Sequence, residues 1–116
     1  MVEDDLEAAQ FFQHVLTKHG QFHVTHTADP GIALALAATE PWDLVLTDLD
    51  LPVMSGMELV AGLRHLAPRL PVVLVTAHLT EPAPVTSGAR PDKILRKPVP
   101  TADLLAAVTP LIPSHP

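Results

Sequence analysis

Apolar residues recur at helical spacing just after an acidic start: Leu6, Ala9, Phe12, Val15 and Leu16 predict a first helix, with Asp4 or Asp5 as N-cap and Gly20 as terminator. The period then drops to two. Phe22-His23-Val24-Thr25-His26-Thr27 alternates and is rich in β-branched residues, which predicts a strand. Asp29-Pro30 supplies an N-cap and a first-turn proline for an Ala-rich helix ending near Thr39. The run Trp42-Asp43-Leu44-Val45-Leu46-Thr47 predicts a strand that stops on Asp48, and Met57, Val60, Leu63 and Leu66 mark a helix from about Gly56 to Ala67, closed by Pro68. Pro71 to Val75 predicts the next strand and Lys93 to Arg96 the last. Thr101 then caps a final helix through Leu104, Leu105 and Val108, which Pro110 bends or ends. Between Thr76 and Lys93, Pro82, Pro84 and Pro91 interrupt any helix and leave room for roughly one or two turns.

Alternating strands and helices with short connections imply an α/β fold: a doubly wound parallel sheet with helices on both faces. In such sheets ligands bind at the carboxyl ends of the strands. The chemistry-bearing residues sit at those ends: Glu3-Asp4-Asp5 after Val2, Asp48 and Asp50 after the Val45 run, Thr76 after Val72-Val73-Leu74-Val75, and Lys97-Pro98 after Ile94-Leu95-Arg96. Acids, a hydroxyl and an amine thereby converge on one rim. Several carboxylates there repel one another, and holding them all ionised calls for a cation, most naturally Mg²⁺, which prefers oxygen ligands. Asp4 and Asp48 are placed to bind it directly.

Composition narrows the classes. With 116 residues and 47% apolar content the chain fits one domain, residues 1–116, in which 110–116 reads as a flexible tail or the start of a linker. A net charge of −6 argues against a nucleic-acid or anionic-membrane surface as the main partner. No apolar stretch approaches the ~18 residues of a membrane helix, and the acidic start is unlike a signal peptide. The absence of cysteine suits a reducing compartment, so a soluble, cytoplasmic protein is expected. The seven histidines form no ligand-spaced cluster and read as surface residues.

Four separated motifs carry a resemblance that spans nearly the whole chain. Glu3-Asp4, Asp48-Leu49-Asp50-Leu51-Pro52-Val53-Met54-Ser55-Gly56, Val75-Thr76-Ala77 and Lys97-Pro98 together resemble the receiver domains of two-component response regulators. The resemblance implies a flavodoxin-like five-stranded parallel sheet of order 2-1-3-4-5. It implies that Asp48 is the nucleophile accepting a phosphoryl group from a sensor histidine kinase or phosphotransfer protein. Lys97 and Mg²⁺ then neutralise the acyl phosphate, while Thr76 and the amide of Ala77 hydrogen-bond to it. The metal set is Glu3, through a water, Asp4, Asp48 and the backbone carbonyl of Asp50. Such a domain is a signalling module that catalyses only its own phosphorylation and dephosphorylation, and it works with a downstream effector or as a homodimer.

The chain departs from the family pattern in three places. The first strand is reduced to Met1 and Val2, which predicts that apolar residues upstream, or another chain, supply the missing pairing. The Pro-rich stretch from Thr80 to Pro91 stands where a full fourth helix is usual. Ile94 replaces an aromatic switch residue, so phosphorylation is expected to be read out through the segment 78–91. Two other readings compete. Leu46-Thr47-Asp48-Leu49-Asp50 also resembles the nucleophile strand of haloacid-dehalogenase phosphatases, against which stand Pro52, the lack of an acidic pair after Lys97 and the absence of room for a cap. A phosphorylation-independent interaction domain on the same fold is the other, against which stands the complete acid, hydroxyl and lysine set.

Overall fold

The computed structural model describes residues 1–85 and 88–112; the pair 86–87 and most of the expected tail, 113–116, lie outside them. Helix α1 (Leu6–His14) starts because the Asp5 carboxylate accepts from the Glu7 and Ala8 amides, and it widens into π-type turns over Val15–His19 before Gly20. Helix α2 (Pro30–Thr39) begins as its sequence predicts, with Asp29 capping the Gly31 amide and Pro30 in the first turn. Strand β1 (Val45–Asp48) leads to α3 (Gly56–Leu66), whose first turn is fixed reciprocally: Ser55 Oγ accepts from the Glu58 amide and the Glu58 carboxylate accepts from the Ser55 amide. Strands β2 (Val72–Thr76) and β3 (Lys93–Arg96) follow, then α4 (Thr101–Val108) and a 3₁₀ turn at Thr109–Leu111. Thr101 does not cap α4. It is the first helical residue, and the capping position is Pro100, which has no side-chain acceptor.

The sheet is parallel, in the order β1-β2-β3, with Val45 opposite Val72 and Val73 opposite Lys93. Every residue of β1 and β2 is buried, as expected of strands covered on both faces. On one face Phe12, Val15, Leu16, Leu104 and Val108 pack against Leu46, Val73 and Val75. On the other, Leu59, Val60 and Leu63 of α3 pack against Val2, Val45 and Val72, with Ala33, Leu34 and Ala37 of α2 at the margin. The doubly wound architecture is therefore as the sequence predicts.

The expected count of five strands is not. Phe22–Thr27 forms no strand, and Met1–Glu3 contributes only single parallel bridges, Val2 to Thr27 on one side and Val2 to Thr47 on the other. The lanes keep the expected order, since Val2 lies between Thr27 and β1. A strand exists only where a neighbour pairs with it, and Val2 offers one rung to each side, so the alternating pattern of Phe22–Val24 has nothing to pair with. The stretch between β2 and β3 also departs from expectation, holding no helical turn among its described residues. Its far end is anchored instead by Arg64, which donates to the carbonyls of Arg90 and Leu70 and pairs with Asp92 at 2.8 Å, while Asp92 accepts from the Val72 amide at 2.7 Å.

Candidate functional site

Strand β1 delivers Asp48 to the carboxyl rim, and Gly56 is what lets α3 begin directly beneath it. A Cβ at Gly56 would collide with the Asp48 carbonyl oxygen and come within 2.8 Å of Leu49 Cα. The Gly56 amide donates to the Leu49 carbonyl at 2.7 Å, which closes the turn. The loop between them carries one strained residue, Val53, fully exposed at φ 71°, a conformation that β-branched side chains rarely adopt. The bridges of Val2 set Glu3 and Asp4 beside Asp48. Glu3 is held further by its amide, bonded to Thr27 at 3.1 Å, and by His26 Nε2, 2.7 Å from the Glu3 carbonyl oxygen. Thr76 ends β2, fully buried, and its carbonyl accepts from the Lys97 amide at 2.8 Å, which fixes Lys97 just past β3 ahead of a cis Lys97–Pro98 peptide.

The side chains then meet. Lys97 Nζ lies 2.9 Å from Glu3 Oε1 and 3.2 Å from Asp48 Oδ2. Carboxylate oxygens of Glu3, Asp4 and Asp48 all lie within 4.8 Å of one another. Burial pushes the Glu3 carboxyl above its ordinary range; Lys97 opposes that shift and the Asp48 charge adds to it. Burial works to lower the Lys97 pKa, but Glu3 and Asp48 outweigh it and hold the ammonium above its usual value. One cation against three crowded carboxylates leaves the rim anionic, and its all-oxygen donor set suits a hard divalent ion. The same ammonium stands ready for any negative group placed on Asp48.

Asp50 does not join this cluster. Its carboxylate turns outward to His78 Nε2, at 3.0 and 3.1 Å, so only its backbone carbonyl remains available for the role the resemblance implies. His78 is also tied on two other sides: its amide donates to Thr76 Oγ1 at 2.9 Å, and its carbonyl accepts from Arg96. Ala77, between Thr76 and His78, is exposed. Three residues that sequence reasoning left out are thus attached to the rim: His26, His78 and Arg96. The one signal for His78 was its position two residues beyond Thr76; nothing in the spacing of His26 or Arg96 marks them.

The sequence of residues 1–109 matches the family model described as the response regulator receiver domain. Response regulator receiver protein CpdR of Brucella abortus is 30% identical over 113 residues, covering 97% of this chain and 93% of CpdR. Transcriptional regulatory protein CusR of Escherichia coli K12 is 34% identical, covering 97% of this chain but 49% of CusR, so the chain spans about half the length of that relative. Among solved structures, a CheY-like receiver domain protein of Methanospirillum hungatei superposes with a TM-score of 0.81 at 29% identity, over 94% of this chain and 87% of that one. The receiver domain of a sensor histidine kinase of Pseudomonas aeruginosa, solved with a magnesium ion coordinated in its active-site cleft, gives 0.82 at 26% identity over 97% and 94% of the two chains. With its acids, hydroxyl and lysine gathered at the carboxyl ends of a doubly wound parallel sheet, this chain belongs to the response regulator receiver domains of two-component systems.

Proposed function

We propose that Asp48 is the phosphoacceptor of a Mg²⁺-dependent receiver and that its donor is a sensor histidine kinase or phosphotransfer protein. The single observation that carries this reading is the Lys97 ammonium shared between Glu3 and Asp48 at the rim. An Asp48 carboxylate oxygen attacks phosphorus in line, the bond from phosphorus to the donor's leaving atom breaks, and that atom departs with the electron pair. The product is an acyl phosphate on Asp48. Lys97 neutralises it by keeping its contact to the Asp48 side. The Thr76 hydroxyl, which accepts from the His78 amide, keeps its own hydrogen to donate, and the exposed Ala77 supplies a backbone amide beside it. Glu3, Asp4, Asp48 and the Asp50 carbonyl are the residues to hold the cation; when bound, Mg²⁺ offsets the charge of the carboxylates and of the transferred group.

Residues 1–116 act in this reading as one signalling domain whose catalysis is limited to its own phosphorylation and dephosphorylation; the family match favours it over the phosphatase and phosphorylation-independent alternatives. The donor meets it in the cytoplasm, and the output passes to a downstream effector or a second receiver, without direct nucleic-acid or membrane contact. No helix among the described residues is long and apolar enough to cross a membrane. Readout starts at Thr76. A hydroxyl that turns toward the phosphoryl group gives up the His78 amide, and His78 carries the Asp50 and Arg96 contacts with it, so the start of the segment 78–91 is where order changes.

Acetyl phosphate with Mg²⁺ tests the core of the proposal: intact mass should rise by one phosphoryl group, and chelation of the cation should prevent it. Labelling that persists without a divalent cation contradicts the reading. Lys97→Ala should weaken beryllofluoride binding more than Mg²⁺ binding, and equal loss of both would contradict the division of roles.

A further inference from the structure

The last turns of the first helix bring together two histidines that their spacing in sequence keeps apart. In a regular α-helix a step of five residues turns about 140° past a full circle, so His14 and His19 would lie on different faces. Over Val15–His19 the helix instead takes π-type turns, and the Gly20 amide donates to the Val15 carbonyl, five residues back, at 3.2 Å. Hydrogen bonds spanning five residues bring residue i+5 back over residue i. The Thr17 hydroxyl favours the widening, because it donates to the Gln13 carbonyl at 2.8 Å and competes there with the regular ladder. Val15 and Leu16 are buried in the core and anchor the segment, while both histidines are exposed. Their rings meet edge to face, with centres 6.1 Å apart and planes at 81°.

We propose that His14 and His19 form a two-nitrogen site for a divalent first-row transition metal, tightest for Cu²⁺, with water completing the coordination. Distance permits it. An imidazole nitrogen binds at about 2.0–2.1 Å, which places each ring centre about 3.2 Å from the ion, so two rings on one ion have centres up to roughly 6.4 Å apart. The observed separation falls inside that limit, and a narrower angle at the metal needs only rotation of two exposed side chains. Ligand chemistry selects the ion. Imidazole suits copper, nickel and zinc, of which Cu²⁺ binds a given site most tightly, whereas Mg²⁺ prefers the all-oxygen rim. The two sites are separate, because α1 starts just after the acid pair and His14 lies about 12 Å along its axis from Leu6. The net charge of −6 draws cations to the chain, and Lys18, next to His19, carries its ammonium on a flexible stem that can turn away. The buried Val15 and Leu16 fix the backbone between the two ligands, so the pair is preorganised. A plain edge-to-face contact would not depend on the ring nitrogens; a metal site does.

The test is calorimetric titration of the full chain with Cu²⁺ in excess Mg²⁺, with NMR of the histidine rings to locate the ion. One Cu²⁺ should bind per chain, more tightly than Ni²⁺ or Zn²⁺, and its paramagnetism should broaden the His14 and His19 ring signals before that of the exposed His65. His14→Phe and His19→Phe keep a ring at each position but remove the nitrogens. Each should weaken Cu²⁺ binding at least ~10-fold with unchanged far-ultraviolet dichroism, because the second imidazole of a pair binds as an intramolecular ligand, while His65→Phe leaves the affinity as it was. Affinity that survives either substitution in the pair, or first broadening at another histidine or at Met1, overturns the site. Displacement of Cu²⁺ by Mg²⁺ places the ion at the rim and overturns it too. One ion per two chains, with a metal-dependent doubling of mass, overturns the single-chain site in favour of one that bridges two copies.

Discussion

The carboxyl rim and the amino-terminal lanes belong to one sheet, but they are stabilised in different ways. In β1 and β2 every side chain is buried, and the ladder is continuous from Val45–Val72 to Asp48–Val75. In the lanes formed by Met1–Glu3 and Phe22–Thr27, the pairing is reduced to single bridges through Val2. The rim nonetheless draws two of its three clustered acids, Glu3 and Asp4, from the poorly paired side. Glu3 and Asp4 stay in place because Val2 is clamped between two neighbours and because Lys97 and His26 hold Glu3 from outside the lane. A site can therefore be assembled on a strand too short to be one, provided that the residue before the acids is buried and the acids have a cationic partner.

Substitutions that separate the two regions test this contrast. The largest effect is expected from Asp48→Asn, which should abolish phosphorylation by acetyl phosphate while leaving the far-ultraviolet dichroism unchanged; labelling that survives would remove the rim from the account. Leu74→Ala, in the fully buried centre of β2, should cost about 2–5 kcal/mol by urea unfolding. Gly56→Ala should cost about 1–3 kcal/mol, because the added carbon meets backbone that cannot move aside, and it should slow phosphorylation as well. Val24→Ala, half-buried in the unpaired lane, should cost under about 1 kcal/mol, and a penalty as large as that of Leu74→Ala would show that the lane is as well packed as the strands.

The smallest expected effect is a pH dependence. The Glu3 carboxyl binds its proton more tightly in the folded chain than in the unfolded one, so without a divalent cation its contribution to stability should fall as pH rises above 4.5 toward the folded value. Glu3→Gln should flatten that limb of the stability profile. An unchanged profile would mean that the buried acid is better solvated than its packing implies.

The regions also differ in how far they could be read from sequence. Strands β1, β2 and β3 and all four helices were legible because continuous Val/Leu runs and one-turn apolar spacings report burial directly, and Ser55, Asp29 and Asp5 mark helix starts by local chemistry. Asp48, Glu3, Asp4, Thr76 and Lys97 were legible as residues that end such runs. The alternation of Phe22–Thr27 misled because it describes a face, whereas a strand needs a partner, and among the described residues only Thr27 of this stretch is bridged, to Val2. The contacts of His26, His78 and Arg96 were hidden for a related reason. Each joins positions 18 to 28 residues apart, and no local pattern specifies such a meeting.

The central claim, that this rim exists to put a phosphoryl group on Asp48, is tested most directly by mapping the product. After phosphorylation with acetyl phosphate and Mg²⁺, borohydride reduces an aspartyl phosphate to homoserine, which peptide mass spectrometry locates. The account predicts homoserine at position 48 alone. Homoserine at position 4, 5 or 50, or modification at a histidine with none at 48, would contradict it.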